Sequence, residues 1–493
     1  MGQPHHRLSI PTTAPVVLAL NPAVDRTAAW MKTAYYAAIA TELEDEAGLG
    51  AITAAAIEDA LVEHGWPVNA VCGPEGMLAS NFNVSVRLAR QAFRILETRG
   101  ACRMRRGPAG GLVVQLPQRV DAARALASHM RWTGATPAEV WAARRLIEPM
   151  ALGLAATNRR HLDLPLDTGR LPLGSLVGNP CFALALDSLE QFPGGLGTTV
   201  TQVRKALRDA VERGDDRDAG CLAMADLDAR VAAYAQAHGA DWPLHHAEQA
   251  VNGNDPHRNL ATAVARRIGA DLRHDRCRDH DRLGSLADLA ERYHASLSVM
   301  VEAVRILEDL GVVESRRGRG GGVVLSVPSP ACVMRLVHGF LAASRVDRLQ
   351  CDDFTDALNA AVIEQAATLP AGGHARGLDA TAHGMRGAEG GTAMLLYLEM
   401  MRTVYDMVGN SVLHTLIRCF AGHKTRVYAR DVGILVRHDH YPELMLAGQT
   451  IIQGVLARDP ALARQGQDIT AATCRMVQSQ RLAIGDRRIV GSI

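Results

Sequence analysis

The segment from Ser85 to Thr98 separates basic and apolar side chains onto two sides of a predicted helix. Its basic residues lie within about 60° of one another at about 100° per residue: Arg87, Arg90 and Arg94. Its apolar residues fall on the opposite side: Leu88, Ala92, Ile95 and Leu96. Ser85 is suited to cap the start of this helix and Gly100 to follow its end. The pattern predicts a helix that packs on one face and presents three guanidinium groups on the other.

The residues around this helix predict a helix-turn-helix followed by a β-hairpin. Residues 74–82 suit a short helix, and Asn83 and Val84 suit a tight turn. Two short strands, 101–105 and 112–115, are predicted to flank a glycine-rich turn. Glycines allow a hairpin tip to approach DNA closely, and arginines supply positive charge. The pattern therefore predicts a helix for the major groove and a wing for the backbone.

The same pattern occurs a second time, later in the chain. Residues 94–114 read RILETRGACRMRRGPAGGLVV, and residues 305–325 read RILEDLGVVESRRGRGGGVVL. The two stretches align without a gap at a spacing in residue number of 305 − 94 = 211, which we term the repeat offset. The tip of the second hairpin, Arg316-Arg-Gly-Arg-Gly-Gly-Gly322, is more basic than that of the first. Two copies on one polypeptide predict a DNA-binding protein that carries its own partner.

The charges of the two predicted recognition helices differ. From 85 to 99, four arginines against Glu97 give a formal charge of +3, whereas from 296 to 310, Arg305 against three acidic residues gives −2. Phosphate groups repel a negatively charged helix. We therefore expect the first copy to supply most base contacts. The second copy would bind mainly through its wing or serve as a pseudo-partner.

The rest of the chain is rich in Ala, Leu and Arg and has helical periodicity. The predicted fold class is mainly α with small β wings, in which two winged helix-turn-helix domains alternate with two all-α helical-bundle domains. The predicted domains are a flexible N-terminal arm 1–30, a winged helix-turn-helix 31–117, a shortened helical effector-like domain 118–240, a linker 241–258, a second winged helix-turn-helix 259–327 and a second helical effector-like domain 328–493. The glycine-rich stretch 371–392 is predicted to be a long loop between helices.

Composition narrows the class of protein. The 493 residues suit about three to four domains, and 48% hydrophobic with only 4% aromatic residues indicates aliphatic, helical cores. A net charge of +1 does not exclude DNA binding, because local basic clusters determine it. None of the nine cysteines forms a C-x-x-C pair, which argues against a structural zinc site and for reduced thiols. The odd number and the scatter of these cysteines predict a cytoplasmic protein. No apolar run reaches the roughly 18 residues of a membrane span.

The residues also argue against an enzyme. Only three lysines are present, Lys32, Lys205 and Lys424, which leaves little for Schiff-base chemistry with pyridoxal phosphate. No nucleophile-elbow, P-loop or dinucleotide-binding pattern occurs. We expect no catalytic residues and no cofactor.

Specific motifs carry a resemblance to a known family. They are Trp66-Pro67, Leu78-Ala79, Phe82-Asn-Val-Ser85, Arg90, Leu96-Glu97, Gly100 and Gly110-Gly111 in the first copy, and Leu286-Ala-Asp-Leu-Ala290, Ser296, Glu302-Ala303, Leu307-Glu308 and Gly311 in the second. These residues resemble the winged-helix signature of the GntR superfamily of bacterial transcription regulators. Residues 140–158 resemble the first helix of the effector domain of its FadR-like branch.

Pattern and resemblance together predict the DNA-contacting residues. They are Ser85, Arg87, Arg90, Arg94, Arg103, Arg105, Arg106, Gly110, Ser296, Arg305, Arg316, Arg317, Arg319 and Gly321. Two arginines of the family pattern are missing in the first copy, at Gly76 and Val86. In the second copy the corresponding positions are Ala287 and Leu297, and Val301 stands where the first copy keeps Arg90.

The resemblance further implies helical bundles that bind small carboxylate ligands, often through a divalent metal on one Asp and three His. The matching positions of the second copy are Tyr397, Met401, Gly448 and Thr470. No metal is therefore expected.

Four residues are candidates for ligand binding. Asn179 and Asn410 occupy Gly-Asn pairs that resemble the family's. Arg144 and Arg145 lie in its pocket-facing region and could clamp a carboxylate. An ion pair with Glu148, one helical turn along, is the alternative.

These observations lead to one predicted function and one alternative. The chain is expected to be a sequence-specific transcription regulator, a repressor, which a small carboxylate effector could switch. The alternative is an architectural or antagonist DNA-binding protein with degenerate effector domains and no small-molecule control. The expected partner is double-stranded operator DNA and not a membrane. The two halves would form an intramolecular pseudo-dimer, which leaves room for a homodimer as well.

Overall fold

The structure is a computed structural model, and it is mainly helical with small antiparallel sheets. It describes residues 49–107, 110–158, 177–192, 201–238, 260–274, 281–316, 321–326, 330–432 and 440–490. The predicted N-terminal arm and linker lie outside the described residues. The chain divides into two compact units, with the boundary between Gln118 and Arg119.

The first unit is a winged helix. Its elements in chain order are α1 Leu49–Glu63, α2 Glu75–Asn81, α3 Val86–Thr98, β1 Cys102–Arg105 and β2 Gly111–Val114. The two strands pair antiparallel, from Cys102 opposite Val114 to Arg105 opposite Gly111. Val71 adds an isolated bridge to Val113. The helix-turn-helix and hairpin predicted from the sequence are present, with bounds that differ by one residue or less.

The second unit begins with a helical segment. Its elements are α4 Arg119–Trp132, α5 Pro137–Thr157, α6 Pro180–Leu189, α7 Thr201–Arg213 and α8 Asp216–His238. Thr136 and Glu139 form a capping box at the start of α5. Asn179 caps α6 by accepting a hydrogen bond from the amide of Cys181 at 2.9 Å.

A second winged helix follows in the same unit. It consists of α9 Leu260–His274, β3 Arg282–Gly284, α10 Leu286–Arg292, α11 Leu297–Asp309, β4 Val313–Arg316 and β5 Gly322–Leu325. The strands form a sheet in the order β3-β5-β4. Its core includes Leu289, Met300, Leu307 and Val323.

The last segment is again helical. It comprises α12 Pro330–Ala343, α13 Arg348–Thr368, a 3₁₀ turn Gly372–His374, α14 Ala375–Gly384, α15 Gly390–Val408, α16 Ser411–Val432, α17 Tyr441–Ala457 and α18 Pro460–Val490. The prediction of a loop over 371–392 is wrong for most of this stretch, because the 3₁₀ turn, α14 and the start of α15 occupy it. Leu378 is fully buried there, and a Cβ on Gly384 would lie 3.3 Å from Leu396. The glycine thus serves close packing.

Seven elements of the first half recur in the second half at one constant spacing. The pairs are α1 and α9, α2 and α10, α3 and α11, β1 and β4, β2 and β5, α4 and α12, and α5 and α13. Both bounds of each pair are related by the repeat offset, as Leu49 is to Leu260. The repeat offset, first seen in two short stretches of sequence, therefore relates the first and last residues of all seven element pairs.

The two helical segments share one hydrophobic core. One buried cluster runs from Ala122 to Ala223 in the first segment and from Val333 to Ala463 in the second. Helix α4 packs against α12, its counterpart at the repeat offset. The ring of Phe182 meets that of Phe354 edge-on, with centroids 4.8 Å apart. The helices of the two segments thus fold against each other rather than as separate bundles.

Candidate nucleic-acid interface

The first recognition helix, α3, starts at a serine cap and packs on one face only. The Ser85 hydroxyl accepts a hydrogen bond from the amide of Leu88 at 3.2 Å. The buried side chains of the helix are Ala89, Ala92, Phe93 and Leu96. Asn83 takes a positive φ of 53° in the turn before the cap, a conformation that asparagine tolerates better than most residues. This local chemistry fixes where the helix begins and which face remains outside.

Arg87, Arg90 and Arg94 all lie on the exposed face of α3. Arg90 is held from the side, because its Nε lies 2.7 Å from Oε2 of Glu75 on α2, with 61% of the arginine side chain still exposed. An exposed pair of this kind contributes about 0–1 kcal/mol. Glu75 therefore pairs with Arg90 without removing it from solvent.

Arg99 does not belong to this basic face. Its side chain is 3% exposed and its Nη1 lies 2.9 Å from Oε2 of Glu58 on α1, which is 1% exposed. The sequence-based charge of +3 counted Arg99 among the recognition-helix arginines. The structure assigns that charge to a buried ion pair within the unit instead.

The first wing presents arginines on a glycine-dependent hairpin. Arg103, Arg105 and Arg106 are exposed. A side chain on Gly110 would clash with the carbonyl oxygen of Arg105, and one on Gly111, at φ 148°, would clash with the carbonyl of Gly73. Residues 108–109 of the tip lie outside the described residues. The described glycines thus shape the hairpin itself.

A glutamate joins each recognition helix to its wing. Oε1 of Glu97 accepts a hydrogen bond from the amide of Met104 at 2.7 Å. Its counterpart at the repeat offset is Glu308, whose Oε1 accepts one from the amide of Ser315 at 3.0 Å. Glu308 counted toward the negative charge of the second recognition helix, but its carboxylate is turned toward the hairpin.

The second recognition helix, α11, has a similar cap and a different outer face. Ser296 accepts from the amide of Val299 at 3.4 Å, and its hydroxyl lies 3.0 Å from that of Ser298. Ser298 is exposed where the first helix has Arg87, and Val301 stands where it has Arg90. Arg305 is partly buried. The described part of this helix therefore offers fewer exposed cations than α3.

Only part of the second wing is described. Arg316 is exposed, and its Nη2 lies 3.3 Å from Oε2 of Glu314 in the same strand. The carbonyl of Gly321 accepts a hydrogen bond from Nε of Arg282 at 3.1 Å. Arg317 and Arg319 lie outside the described residues.

Arg144 and Arg145 have different environments. Arg144 is buried, and its Nε lies 2.5 Å from Oε1 of Glu148; this is the ion pair weighed against a carboxylate clamp. The other oxygen of Glu148 contacts Arg230, whose Nε lies 2.8 Å from Oδ2 of Asp226. Burial opposes the charge of Arg230, but Glu148 and Asp226 outweigh it and raise its pKa. Arg145 lies outside this network, is exposed and pairs with Asp228.

The second segment has neutral side chains at the positions of this network. Helices α5 and α13 are related by the repeat offset, and the α7–α8 and α17–α18 turns by a longer one (460 − 216 = 244). The equivalents of Arg144, Glu148, Asp226 and Arg230 are therefore Thr355, Asn359, Thr470 and Cys474. The hydroxyl of Tyr405 donates to Oδ1 of Asn359 at 2.9 Å. Two charged pairs in one segment thus correspond to four small polar residues in the other.

Asn179 and Asn410 lie between the two helical segments. Nδ2 of Asn179 donates to the carbonyl of Gln350 at 2.8 Å, and Nδ2 of Asn410 donates to the carbonyl of Glu139 at 2.9 Å. Glu139 and Gln350 are related by the repeat offset and occupy the same position in their capping boxes. The two contacts are therefore reciprocal, a relationship that the sequence did not reveal.

Two of the positions matched to family metal ligands do meet in the interior. The hydroxyl of Tyr397 donates to Oγ1 of Thr470 at 3.2 Å. A side chain on Gly448 would lie 2.8 Å from Cε of Met385. Among the described residues, no group of three or more His, Cys, Asp and Glu could hold a metal ion. Met385, Tyr397 and Thr470 instead pack this part of the second segment.

No helix among the described residues is long and apolar enough to span a membrane.

Comparison with known proteins finds a family match for one part of the chain. No curated protein matches the chain. A solved structure described as Streptococcus agalactiae GntR is similar at 17% identity, with a TM-score of 0.33, over 43% of this chain and 99% of that one. Residues 260–323, from α9 into β5, match the family described as "Bacterial regulatory proteins, gntR family" and form a helix-turn-helix domain of that family.

Proposed function

We propose that the protein is a sequence-specific DNA-binding transcription regulator, acting as a cytoplasmic repressor. One observation carries this proposal most directly: a serine-capped helix exposes Arg87, Arg90 and Arg94 beside a hairpin that exposes three more arginines. The family match of residues 260–323 supports the same function for the second winged helix.

The geometry suggests how each part would contact DNA. A recognition helix fits the major groove, where the planar fork of arginine matches the O6 and N7 acceptors of guanine. Arginines of the wing are suited to phosphate contacts, which give affinity rather than sequence preference. Repression would follow if the bound protein obstructs transcription from an overlapping promoter.

We further propose that the chain is a tandem duplication forming an intramolecular pseudo-dimer of the FadR-like branch. The seven element pairs at the repeat offset support the duplication. The reciprocal contacts of Asn179 and Asn410 support an interface with approximate two-fold character. A covalently joined and diverged pair is suited to an asymmetric operator, and the chain would then bind it as a monomer.

Control by a carboxylate effector would act through the shared helical core. A ligand that prefers one arrangement of the helices would change operator affinity by its differential binding to the two states. The alternative, a DNA-binding protein without small-molecule control, is favoured by one observation: Arg144 is buried and already bound to a carboxylate of its own chain. An external carboxylate would have to displace Glu148.

A binding experiment tests the DNA-binding proposal. Duplexes selected from a random library by the full-length chain would be titrated by fluorescence anisotropy at several salt concentrations. The Arg87→Ala/Arg90→Ala variant should lose specific binding by tenfold or more, because each bidentate base contact contributes about 1–3 kcal/mol. Arg402→Ala, which removes an exposed arginine of the second unit, serves as the matched control. Unchanged affinity of the double variant would refute the proposal for α3.

A ligand screen separates the two candidates. A ligand at about 100 times its Kd stabilises the protein it binds by about 2.7 kcal/mol, which thermal unfolding detects. A stabilising carboxylic acid should also change operator affinity. If no carboxylate in a broad panel shifts the unfolding temperature while DNA binding is intact, the alternative stands.

A further inference from the structure

We infer that the second recognition helix, α11, reads thymine methyl groups through Leu297 and Val301. The inference rests on the proposed DNA-binding function and concerns which bases the second winged helix selects. The charge of α11 alone predicted only a supporting role for the second winged helix. The inference gives α11 a role in base recognition as well.

Both side chains lie outside the core of their domain. Leu297 is 56% exposed, and Val301 is partly exposed. The apolar residues of α11 that do enter the core are Val299, Met300, Ala303, Val304, Ile306 and Leu307. Leu297 and Val301 are therefore apolar residues that the fold does not use for packing.

Their position on the helix is the one that meets base edges. Residues near the N-terminus of a recognition helix point into the major groove, and Leu297 is the first residue of α11. Val301 follows one turn later, so both side chains lie on one stripe. The first unit shows the same orientation: Val86, at the position of Leu297, is 41% exposed, and Arg90, at the position of Val301, is exposed.

The chemistry of this stripe suits thymine. Leu297 and Val301 have no donor for the O6 and N7 acceptors of guanine, whereas the C5-methyl group of thymine is the apolar feature of the major groove. The neighbouring Ser298 is uncharged and is hydrogen-bonded to Ser296. The carboxylate of Glu308 is turned toward the hairpin. Leu297 and Val301 therefore offer an aliphatic contact to a base.

Replacing thymine by deoxyuridine tests this inference, because the change removes only the methyl group. Each thymine of a selected operator would be replaced in turn and the full-length chain titrated. At one or more thymines, the wild type should bind about fourfold more weakly, the value for one methyl group removed from water. At those positions, the Leu297→Ala/Val301→Ala variant should bind the thymine duplex and the deoxyuridine duplex with equal affinity.

Leu260→Ala is the matched control, because Leu260 is an exposed leucine on α9 of the same domain; it should keep the thymine preference. Circular dichroism confirms that the variants are folded. Indifference of the wild type to every replacement, or a preference that persists in the double variant, would overturn the inference. If the chain selects no duplex at all, the proposed function itself fails, and the two results are distinguishable.

Discussion

The side chain of Asn410 donates a hydrogen bond to the main-chain carbonyl of Glu139, which lies 271 residues earlier in the chain. Its amide oxygen accepts from the amide of Leu413 at 3.0 Å and so caps α16. Asn179 makes the same two kinds of contact, to Gln350 and Cys181. One residue type thus both starts a helix and joins the two helical segments, once in each direction.

The Asn410→Ala substitution should destabilise the second unit by about 1–3 kcal/mol. The change removes a helix cap and leaves the partly buried carbonyl of Glu139 without this donor. Asn179→Ala should have an effect of similar size, because its contacts are reciprocal. Urea unfolding measures both. The control is Asn158→Ala, an exposed residue at the end of α5, which should change stability by less than about 0.5 kcal/mol. Equal effects of all three would argue against an interface role.

Replacing only one residue of the buried Arg99–Glu58 pair should destabilise the first unit, whereas replacing both should be tolerated. Arg99→Leu alone would leave the Glu58 carboxylate buried without this partner, which costs about 3–5 kcal/mol. The equivalent residues of the second winged helix are Leu310 and Gly269, and that domain folds without the pair. We therefore expect Glu58→Ala/Arg99→Leu to recover most of the loss. Thermal unfolding of the wild type, the two single variants and the double variant forms a double-mutant cycle, and a double variant no more stable than Arg99→Leu would contradict this expectation.

Removing the charge of Glu75 should strengthen DNA binding. Glu75→Gln releases Arg90 from an exposed ion pair and removes a carboxylate beside the proposed DNA-contacting face of α3. The pair contributes about 0–1 kcal/mol, so Kd should fall by up to about fivefold at low salt. Anisotropy titration measures the change, with Glu63→Gln as a control at an exposed position on α1. Weaker binding by Glu75→Gln would instead mean that the glutamate holds Arg90 in its binding orientation.

Much of the winged-helix geometry could be predicted from local sequence. Ser85, the basic stripe and Gly100 determine α3 through contacts within a few residues, so its bounds follow from the pattern alone. The local sequence around Gly384 instead predicted a loop where the structure has a helix. In the sequence, a glycine that permits close helix packing cannot be distinguished from one that permits a turn.

The long-range pairs could not be predicted in this way. Arg99 counts toward the positive charge of the recognition helix until its partner, 41 residues away, is placed beside it. The equivalence of Asn179 and Asn410 could not be found from the repeat offset. These two residues are separated by a larger number of residues (410 − 179 = 231) than the offset that relates the earlier elements. Charge and spacing identified candidate residues, and tertiary packing decided which of them face outward.

His129 should make the stability of the second unit depend on pH. It is buried on α4, neither ring nitrogen has a hydrogen-bond partner among the described residues, and its equivalent in the second segment is Phe340. Burial, with a smaller contribution from the charge of Arg418, lowers its pKa from 6.5 to about 4. Between pH 6.5 and about pH 4, His129 is therefore protonated in the unfolded chain and neutral in the folded chain. Stability falls as the pH drops below about 6.5, and the loss is complete only below about 4.

Between pH 7.5 and pH 5 this one group should cost about 2 kcal/mol of unfolding free energy. His129→Phe replaces the imidazole with the ring found at the equivalent position and should remove that part of the pH dependence. Urea unfolding at both pH values measures the difference between variant and wild type, which cancels the other titrating groups. His374→Phe, at an exposed histidine of the second segment, should leave the wild-type pH dependence unchanged. If His129→Phe loses as much stability as the wild type on acidification, the imidazole of His129 is already able to accept a proton in the folded protein.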